Sequence, residues 1–168
     1  MAKACVVVDT NVLMVAEGLH EAASDACRST CIDLVERLDK ALVAAVDSGD
    51  EIVNEYLGSL RGARGSGLGV KAAVRLYRRR HDPRACRQVA VTPVQDPPGS
   101  YEEVPENLRD FDTDDQKFVA VAAAEGSRPQ IYTAVDPEWW DRKDDFVDAR
   151  IDVQFLCPGH FLERECAG

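Results

Sequence analysis

The chain has 168 residues, of which 45% are hydrophobic and 30% are charged, with 20 Lys and Arg against 30 Asp and Glu. This composition is typical of one folded domain, and it excludes a disordered chain or a small disulfide-rich scaffold. The net charge of −10 argues against a protein whose whole surface coats polyanions.

The first predicted element is a short apolar segment, Ala4 to Val8, which ends at Asp9. A continuous β-branched run indicates a strand buried on both faces of a sheet. No apolar run reaches the roughly 18 residues that a membrane span needs, and an acid follows too soon for a signal peptide. We therefore expect a cytoplasmic protein that does not enter membranes.

The next elements alternate between helix and strand. Residues 25–38 have apolar side chains at helical spacing with charged residues between them, which predicts an amphipathic helix. Residues 41–46 form a second short apolar run, which predicts a strand. Ser48 and Glu51 then have the spacing of a capping box, so we expect a helix that begins there and includes Glu55.

A Gly-rich and basic segment, residues 58–110, follows within what we expect to be a single domain, residues 1–168. A flexible loop over 58–69 precedes a basic helix over 70–80, Pro83 ends that helix, and residues 89–94 fit a strand. Residues 61–87 carry nine Lys and Arg against one Asp. Arg75, Arg78, Arg79 and Arg80 form a basic stripe on the predicted helix. The ordinary interpretation of such a stripe is a solvated helix face, but it can also contact the phosphates of a nucleic acid.

The last third returns to regular alternation. Thr113 and Gln116 have capping-box spacing before a helix that Gly126 closes. Strands over 130–134 and 151–156 alternate with helices over 137–142 and 158–165. Alternating strands and helices predict an α/β fold, with three layers in the order α/β/α and a central, mainly parallel sheet.

Carboxylates occur at the ends of several predicted elements. Asp9 and Asp136 each follow a strand, and Asp115 lies in the first turn of a helix. Because ligands of open parallel sheets bind beyond the carboxyl ends of the strands, these side chains are expected to meet. Several carboxylates at one place repel one another unless a cation binds between them. Their oxygen atoms are ligands that favour Mg²⁺ or Mn²⁺.

Each acid also has an ordinary structural interpretation. Asp9 can cap a turn, and Asp136 can start a helix. Glu55 can be a solvated helix residue, with Glu51 as the alternative ligand, and Asp114 is the alternative to Asp115. We prefer Glu55 and Asp115 because each lies nearer the apolar face of its helix.

Six cysteines occur without a Cys-x-x-Cys pair, so we expect reduced, mostly buried thiols. The three histidines, His20, His81 and His160, are scattered along the chain without ligand spacing. The sequence therefore disfavours a zinc site.

Five stretches of the chain, in order, resemble the PIN-domain family of metal-dependent ribonucleases. They are Val6 to Leu13, Glu51 to Tyr56, Asp114 to Ala120, Ile131 to Asp136, and Ile151 to Leu162. The family's fourth motif usually has one residue between its Thr or Ser and its Asp, whereas two residues separate Thr133 from Asp136 here. The resemblance implies a PIN-like three-layer domain over nearly the whole chain.

The resemblance also implies the roles of particular residues. Asp9, Glu55, Asp115 and Asp136 would form the catalytic, metal-binding quartet, and Asn11 and Thr133 would orient it. The expected activity is hydrolysis of RNA phosphodiester bonds with Mg²⁺ or Mn²⁺, which leaves a 5′-phosphate and a 3′-hydroxyl. The RNA can be single-stranded or structured.

Several alternatives stay open at this stage. DNA is a second candidate substrate, and a homodimer or a cognate inhibitor (antitoxin) are candidate partners. A catalytically inactive PIN-like module that binds nucleic acid or a partner protein is the alternative function. A phosphatase of the haloacid dehalogenase type also begins with a strand and an Asp, but it needs a second Asp where this chain has Asn11.

Overall fold

A computed structural model describes residues 2–38, 40–64 and 66–168. In chain order, its strands and helices are β1 (Ala4–Val8), α1 (Thr10–Glu17), α2 (Asp25–Arg37), β2 (Leu42–Asp47), α3 (Glu51–Ser59), α4 (Leu68–Arg78), β3 (Cys86–Val89), β4 (Pro93–Val94), β5 (Ser100–Tyr101), α5 (Gln116–Ala124), β6 (Gln130–Thr133), α6 (Pro137–Asp141), α7 (Lys143–Asp148), β7 (Val153–Phe155) and α8 (Pro158–Cys166). A 3₁₀ turn, Glu106–Leu108, lies between β5 and α5.

The central sheet has five strands in the order β3-β2-β1-β6-β7, and every neighbouring pair is parallel. Its middle strands have no solvent face: all six residues of β2 are buried, as are Val6, Val7 and Val8 of β1. Helices therefore cover both faces of the sheet, and the predicted three-layer α/β/α class is confirmed.

The order of the strands locates the place where a ligand would bind. From β1 the chain proceeds outward to β2 and β3, and then returns to the other side of β1 to add β6 and β7. The order thus reverses between β1 and β6, and the crevice beyond the carboxyl ends of these two strands is the usual site in such sheets. Val8 is level with Tyr132, so both strands end together.

Two helices were not expected from the sequence. Helix α1 follows β1 after a single residue, and its apolar side chains are buried around most of its circumference, at Val12, Leu13, Val15 and Ala16. An element buried on several sides has no polar face, so it produces no amphipathic pattern. Helix α7 has only six residues, which is too short for a periodic signal.

The capping box predicted at Ser48 is wrong. The carboxylate of Asp47, the last residue of β2, accepts the backbone N–H groups of Glu51 (2.9 Å) and Ile52 (2.8 Å). Asp47 is 1% exposed, and it satisfies two donors that the first helical turn leaves free. The strand therefore caps the helix that follows it, which a local pattern does not reveal.

The capping box predicted at Thr113 is also wrong. Helix α5 begins at Gln116, and the side-chain amide of Gln116 donates instead to the carbonyl groups of Arg109 (3.0 Å) and Phe111 (2.8 Å). Gln116 is buried, so it fixes the preceding loop against the start of the helix.

Residues 89–94 do not form the single strand expected there. Strand β3 ends at Val89 and pairs with β2, while β4 pairs with β5 in a separate antiparallel ribbon. The 58–110 segment thus contributes an edge strand to the central sheet, along with helix α4.

Helix α4 is seated against the end of α1. The carboxylate of Glu17 accepts the N–H groups of Gly67 (3.0 Å) and Val70 (2.9 Å), which caps α4. A methyl group at Gly69 would lie 2.3 Å from the carbonyl oxygen of Leu13, so only glycine permits this approach of the two helices.

The expectation of reduced thiols is wrong for one pair of cysteines. Cys27 on α2 and Cys157 directly before α8 form a disulfide between residues 130 positions apart in the chain. Within the described ranges, no helix is both long enough and apolar enough to cross a membrane.

Candidate metal centre

Asp9 lies at the carboxyl end of β1, at the place where the strand order reverses. Its backbone N–H donates to the carbonyl of Tyr132 on β6 (2.9 Å), which holds the two strand ends together. The Thr133 hydroxyl donates to Asp9 Oδ2 (2.9 Å), and the Asn11 side-chain amide donates to the same oxygen. Asn11 Oδ1 in turn accepts the N–H of Ala134 (2.9 Å), so Asn11 links β1 to the loop after β6.

The environment of Asp9 disfavours its charge. Asp9 is 2% exposed. Burial, together with the charges of Asp136 and Glu55, raises the pKa of Asp9 from 3.8 to about 7, and the hydrogen bond from Thr133 opposes this increase. Near neutral pH this carboxylate is therefore poised between its two protonation states.

Asp115 lies just before α5 and is also buried. Burial, together with the charges of Asp9, Asp136 and Asp112, raises the pKa of Asp115 to about 9 against an opposing effect of Lys117. One carboxylate oxygen each of Asp112, Asp115 and Glu138 lie within 4.8 Å of one another. The neighbouring Asp114 is exposed, and its backbone N–H donates to Asp112 (3.0 Å).

Asp136 joins the cluster from the loop after β6. Its Oδ1 accepts the N–H of Glu138 (2.9 Å), so it caps α6 as well. Burial raises the pKa of Asp136, and the charge of Asp112 adds to this increase, while a hydrogen bond with Asp115 and the nearby His20 lower it. Asp136 therefore caps a helix and also lies among the candidate metal ligands, so the two interpretations of this residue are compatible.

Glu55 reaches the cluster from α3. The buried hydroxyl of Tyr56 donates to the carbonyl of Val8, which ties α3 to the end of β1. Glu55 accepts a hydrogen bond from the Thr10 hydroxyl and forms an ion pair with Lys117, whose side chain is only 10% exposed. An internal ammonium group therefore already neutralises this one carboxylate.

The structure thus brings Asp9, Glu55, Asp115 and Asp136 to one edge of the sheet, where their charges interact, but the carboxylate oxygens within 4.8 Å of one another are those of Asp112, Asp115 and Glu138. Glu51, the alternative to Glu55, is exposed at the first turn of α3. Sequence reasoning missed three members of the cluster: Lys117, Asp112 and Glu138. Glu138 follows Asp136 by two residues, and Lys117 follows Asp115 by two, but only the tertiary structure shows that they face the same centre.

The donor set suits a hard divalent cation. Several carboxylates converge here, and the two most buried of them have strongly raised pKa values, which is the electrostatic signature of an uncompensated negative site. Lys117 supplies one positive charge to the group. Oxygen donors of this kind match Mg²⁺ or Mn²⁺, which bind through a few carboxylates and retain water ligands.

The predicted basic stripe lies on α4 and just beyond it. Arg75 donates to the carbonyl of Leu38 (3.2 Å), Arg79 pairs with Asp82 (2.6 Å), and Arg80 pairs with Asp50 (3.1 Å). These arginines therefore serve partly structural roles. Arg78 is exposed.

The stripe borders a groove of about 420 Å³. The residues lining the groove are Ser66, Val70, Lys71, Val74, Arg75, Arg78 and Arg79. Within the part of the chain that is described, this lining includes none of the candidate acids.

Comparisons of this chain with protein-family models, with curated proteins and with solved structures found no match. The likeness to PIN domains therefore rests on the residues quoted from the sequence.

Proposed function

We propose that the protein is a metal-dependent endoribonuclease that hydrolyses RNA phosphodiester bonds at the candidate metal centre. The observation that carries the proposal is the convergence of Asp9, Glu55, Asp115 and Asp136 at the strand-order reversal, with raised pKa values at Asp9 and Asp115. A protein gains no stability from such a group without a cation, so the arrangement favours a functional role.

Asp9, Asp115 and Asp136 would hold Mg²⁺ or Mn²⁺, with Glu55 as the fourth acid. When bound, the ion supplies a Lewis acid that lowers the pKa of a coordinated water and offsets the charge of the phosphate. Asn11 and Thr133 hold the Asp9 carboxylate in a fixed orientation by their hydrogen bonds.

Lys117 gives the site a second cationic element. Its ammonium group neutralises Glu55 and is fixed further by the carbonyl of Asp114. Because this ion pair cancels one negative charge at the edge, a phosphate that approaches is repelled less than it would be by four unpaired acids.

The test is cleavage of labelled RNA, and of DNA of the same sequence, by pure protein in Mg²⁺, in Mn²⁺ or in excess chelator. We expect cleavage of RNA only with a divalent ion. Asp9→Asn keeps the volume of the side chain and removes its charge, and it should lower the rate by more than about 100-fold, since even outer-sphere partners of metal ligands are worth 10–100-fold.

Asp33→Asn is the matched control, because Asp33 is an exposed aspartate on α2. It should cleave as the wild type does. Cleavage that persists in chelator, or that is unchanged in Asp9→Asn, would contradict the proposal. Binding of RNA without cleavage in either metal would favour the inactive binding module instead.

A further inference from the structure

A cluster of three cysteines connects α2 to the start of α8. The Sγ atoms of Cys27, Cys31 and Cys157 all lie within 4.8 Å of one another, and all three residues are buried. Cys27 and Cys157 are bonded as a disulfide, while Cys31 keeps a free thiol. None of the three belongs to the acidic centre.

The positions of these cysteines in the fold are those of metal ligands. Cys27 and Cys31 are four residues apart on α2, so their side chains lie on the same face, one turn apart. Cys157 immediately precedes α8, and His160 follows it within the first turn of that helix. Two ligands from one helix and two from the start of another element form a common tetrahedral arrangement.

A cavity makes this cluster accessible to small molecules. It has a volume of about 260 Å³, and its lining includes both cysteines of the disulfide together with His160. The His160 ring lies 6.4 Å from that of His20, centroid to centroid, so two histidines that are distant in the sequence come together in the fold. His160 therefore lies near the cysteines in the fold, although the histidines are scattered along the sequence.

We propose that the Cys27–Cys157 disulfide is reducible and that the reduced cluster of Cys27, Cys31 and Cys157 binds Zn²⁺, with His160 as the fourth ligand. The disulfide and the metal are then alternative cross-links between α2 and α8. The proposal does not depend on the nuclease activity.

The chemistry balances with a cellular dithiol as the reductant. The dithiol transfers two electrons and two protons, the sulfur–sulfur bond breaks, Cys27 and Cys157 become thiols, and the dithiol becomes a disulfide. Zn²⁺ then displaces the protons of the three thiols as it binds, because thiolates are the ligands.

The geometry of the three sulfur ligands requires little rearrangement, whereas the side chain of His160, which is outside this group, has to turn toward it. Zinc–sulfur bonds of about 2.3 Å in a tetrahedron place sulfur atoms about 3.8 Å apart. The three sulfur atoms already lie within 4.8 Å of one another. Once the disulfide opens, its two sulfur atoms need only separate by side-chain rotation. Three soft sulfur ligands favour Zn²⁺ over the hard ions that suit the carboxylate site.

The experiment is titration of the full chain with Co²⁺, the spectroscopic substitute for Zn²⁺, after reduction by a phosphine, which becomes the phosphine oxide and provides no thiol. Excess Mg²⁺ is present throughout to compete with Co²⁺ for the carboxylates. We expect a thiolate-to-cobalt charge-transfer band that saturates at about one equivalent and disappears when Zn²⁺ is added. Oxidised protein of the same sequence should give no such band.

Cys31→Ser keeps the disulfide pair and removes the third thiolate, so it should weaken binding of the metal by more than about 100-fold. His160→Ala should weaken it less and alter the ligand-field bands. Cys86→Ser is the matched control, because Cys86 is buried on β3, outside the cluster, and should bind as the wild type does.

Two results would overturn the proposal: no charge-transfer band in the reduced wild type, or a band of equal strength in Cys31→Ser. Because the oxidised and reduced wild type have one sequence, this comparison stands even where a variant fails to fold.

Discussion

Removal of the Asp9 charge should stabilise the protein in the absence of metal at about pH 8, where the wild type has to ionise a buried carboxyl group. The unfolded chain releases this proton near pH 3.8, whereas the folded protein retains it up to about pH 7. Between these values the folded state binds more protons, so its stability falls as the pH rises.

The size of the effect follows from the pKa. Between the two pKa values, each pH unit lowers the free energy of unfolding by about 1.4 kcal/mol. From about pH 5 to pH 8 the wild type should therefore lose about 3 kcal/mol through Asp9, nearly all of it below its folded pKa of about 7. Asp9→Asn, which has nearly the same volume and no charge, should lose about 3 kcal/mol less than the wild type over the same range.

The assay is urea denaturation in chelator at several pH values, repeated with Mn²⁺. An ion that binds the ionised cluster of the folded state, as we propose, should restore stability at about pH 8 in the wild type and much less in Asp9→Asn. Asp33→Asn should follow the wild type. Two results would refute the electrostatic account of the site. One is a wild-type stability in chelator that stays flat or rises with pH, and the other is a pH profile of Asp9→Asn that equals that of the wild type.

Three further predictions concern the scaffold of the site. In thermal unfolding, Gly69→Ala should destabilise the protein by about 2 kcal/mol, because the new methyl group would lie 2.3 Å from a carbonyl oxygen of α1. The control Gly58→Ala has open space around it and should stabilise α3 by about 0.5–1 kcal/mol. In urea denaturation, Asp47→Ala should lower the free energy of unfolding by about 2 kcal/mol, because two N–H groups of α3 lose their acceptor. Ser48→Ala should change it by less than about 0.5 kcal/mol, and equal effects of the two substitutions would contradict the assignment of the cap. Lys117→Met should destabilise the metal-free protein by about 2 kcal/mol at pH 8, because Glu55 loses its positively charged partner. The same variant should gain more stability from added Mn²⁺ than the wild type does. No change in either quantity would show that the ion pair is unimportant.

The sequence predicted most of the strands and helices because their patterns are local. The doubly buried strand β1, the amphipathic helix α2 and the terminal helix α8 each have a run or period that needs no knowledge of the rest of the chain. Alternation of such elements was enough to predict a three-layer α/β/α fold. Helix α1 was missed because burial on several sides removes the polar face on which helical periodicity depends.

The two capping boxes were wrong because the side chains at these helix starts found other partners. Asp47 caps α3 from the end of β2, and Gln116 uses its amide to hold the preceding loop. A capping-box spacing records which residues are suitable, but the approach of neighbouring elements decides which one is used.

The positions of Asp9 and Asp136 after strands, and of Asp115 before a helix, could be predicted from sequence, since parallel strands end at one edge. The charge balance of that edge could not. It depends on Lys117, Asp112 and Glu138, which lie on different elements and meet only when α3, α5 and α6 pack around the end of β1.

The cysteines show the same limit most clearly. Cys27 and Cys157 are 130 residues apart, and no spacing rule connects them; packing of the last helix beside α2 makes the connection. Local pattern therefore determined what most segments of the chain become. Only the tertiary structure decided which charges and sulfur atoms meet, because their interactions depend on distance in space rather than on separation along the chain.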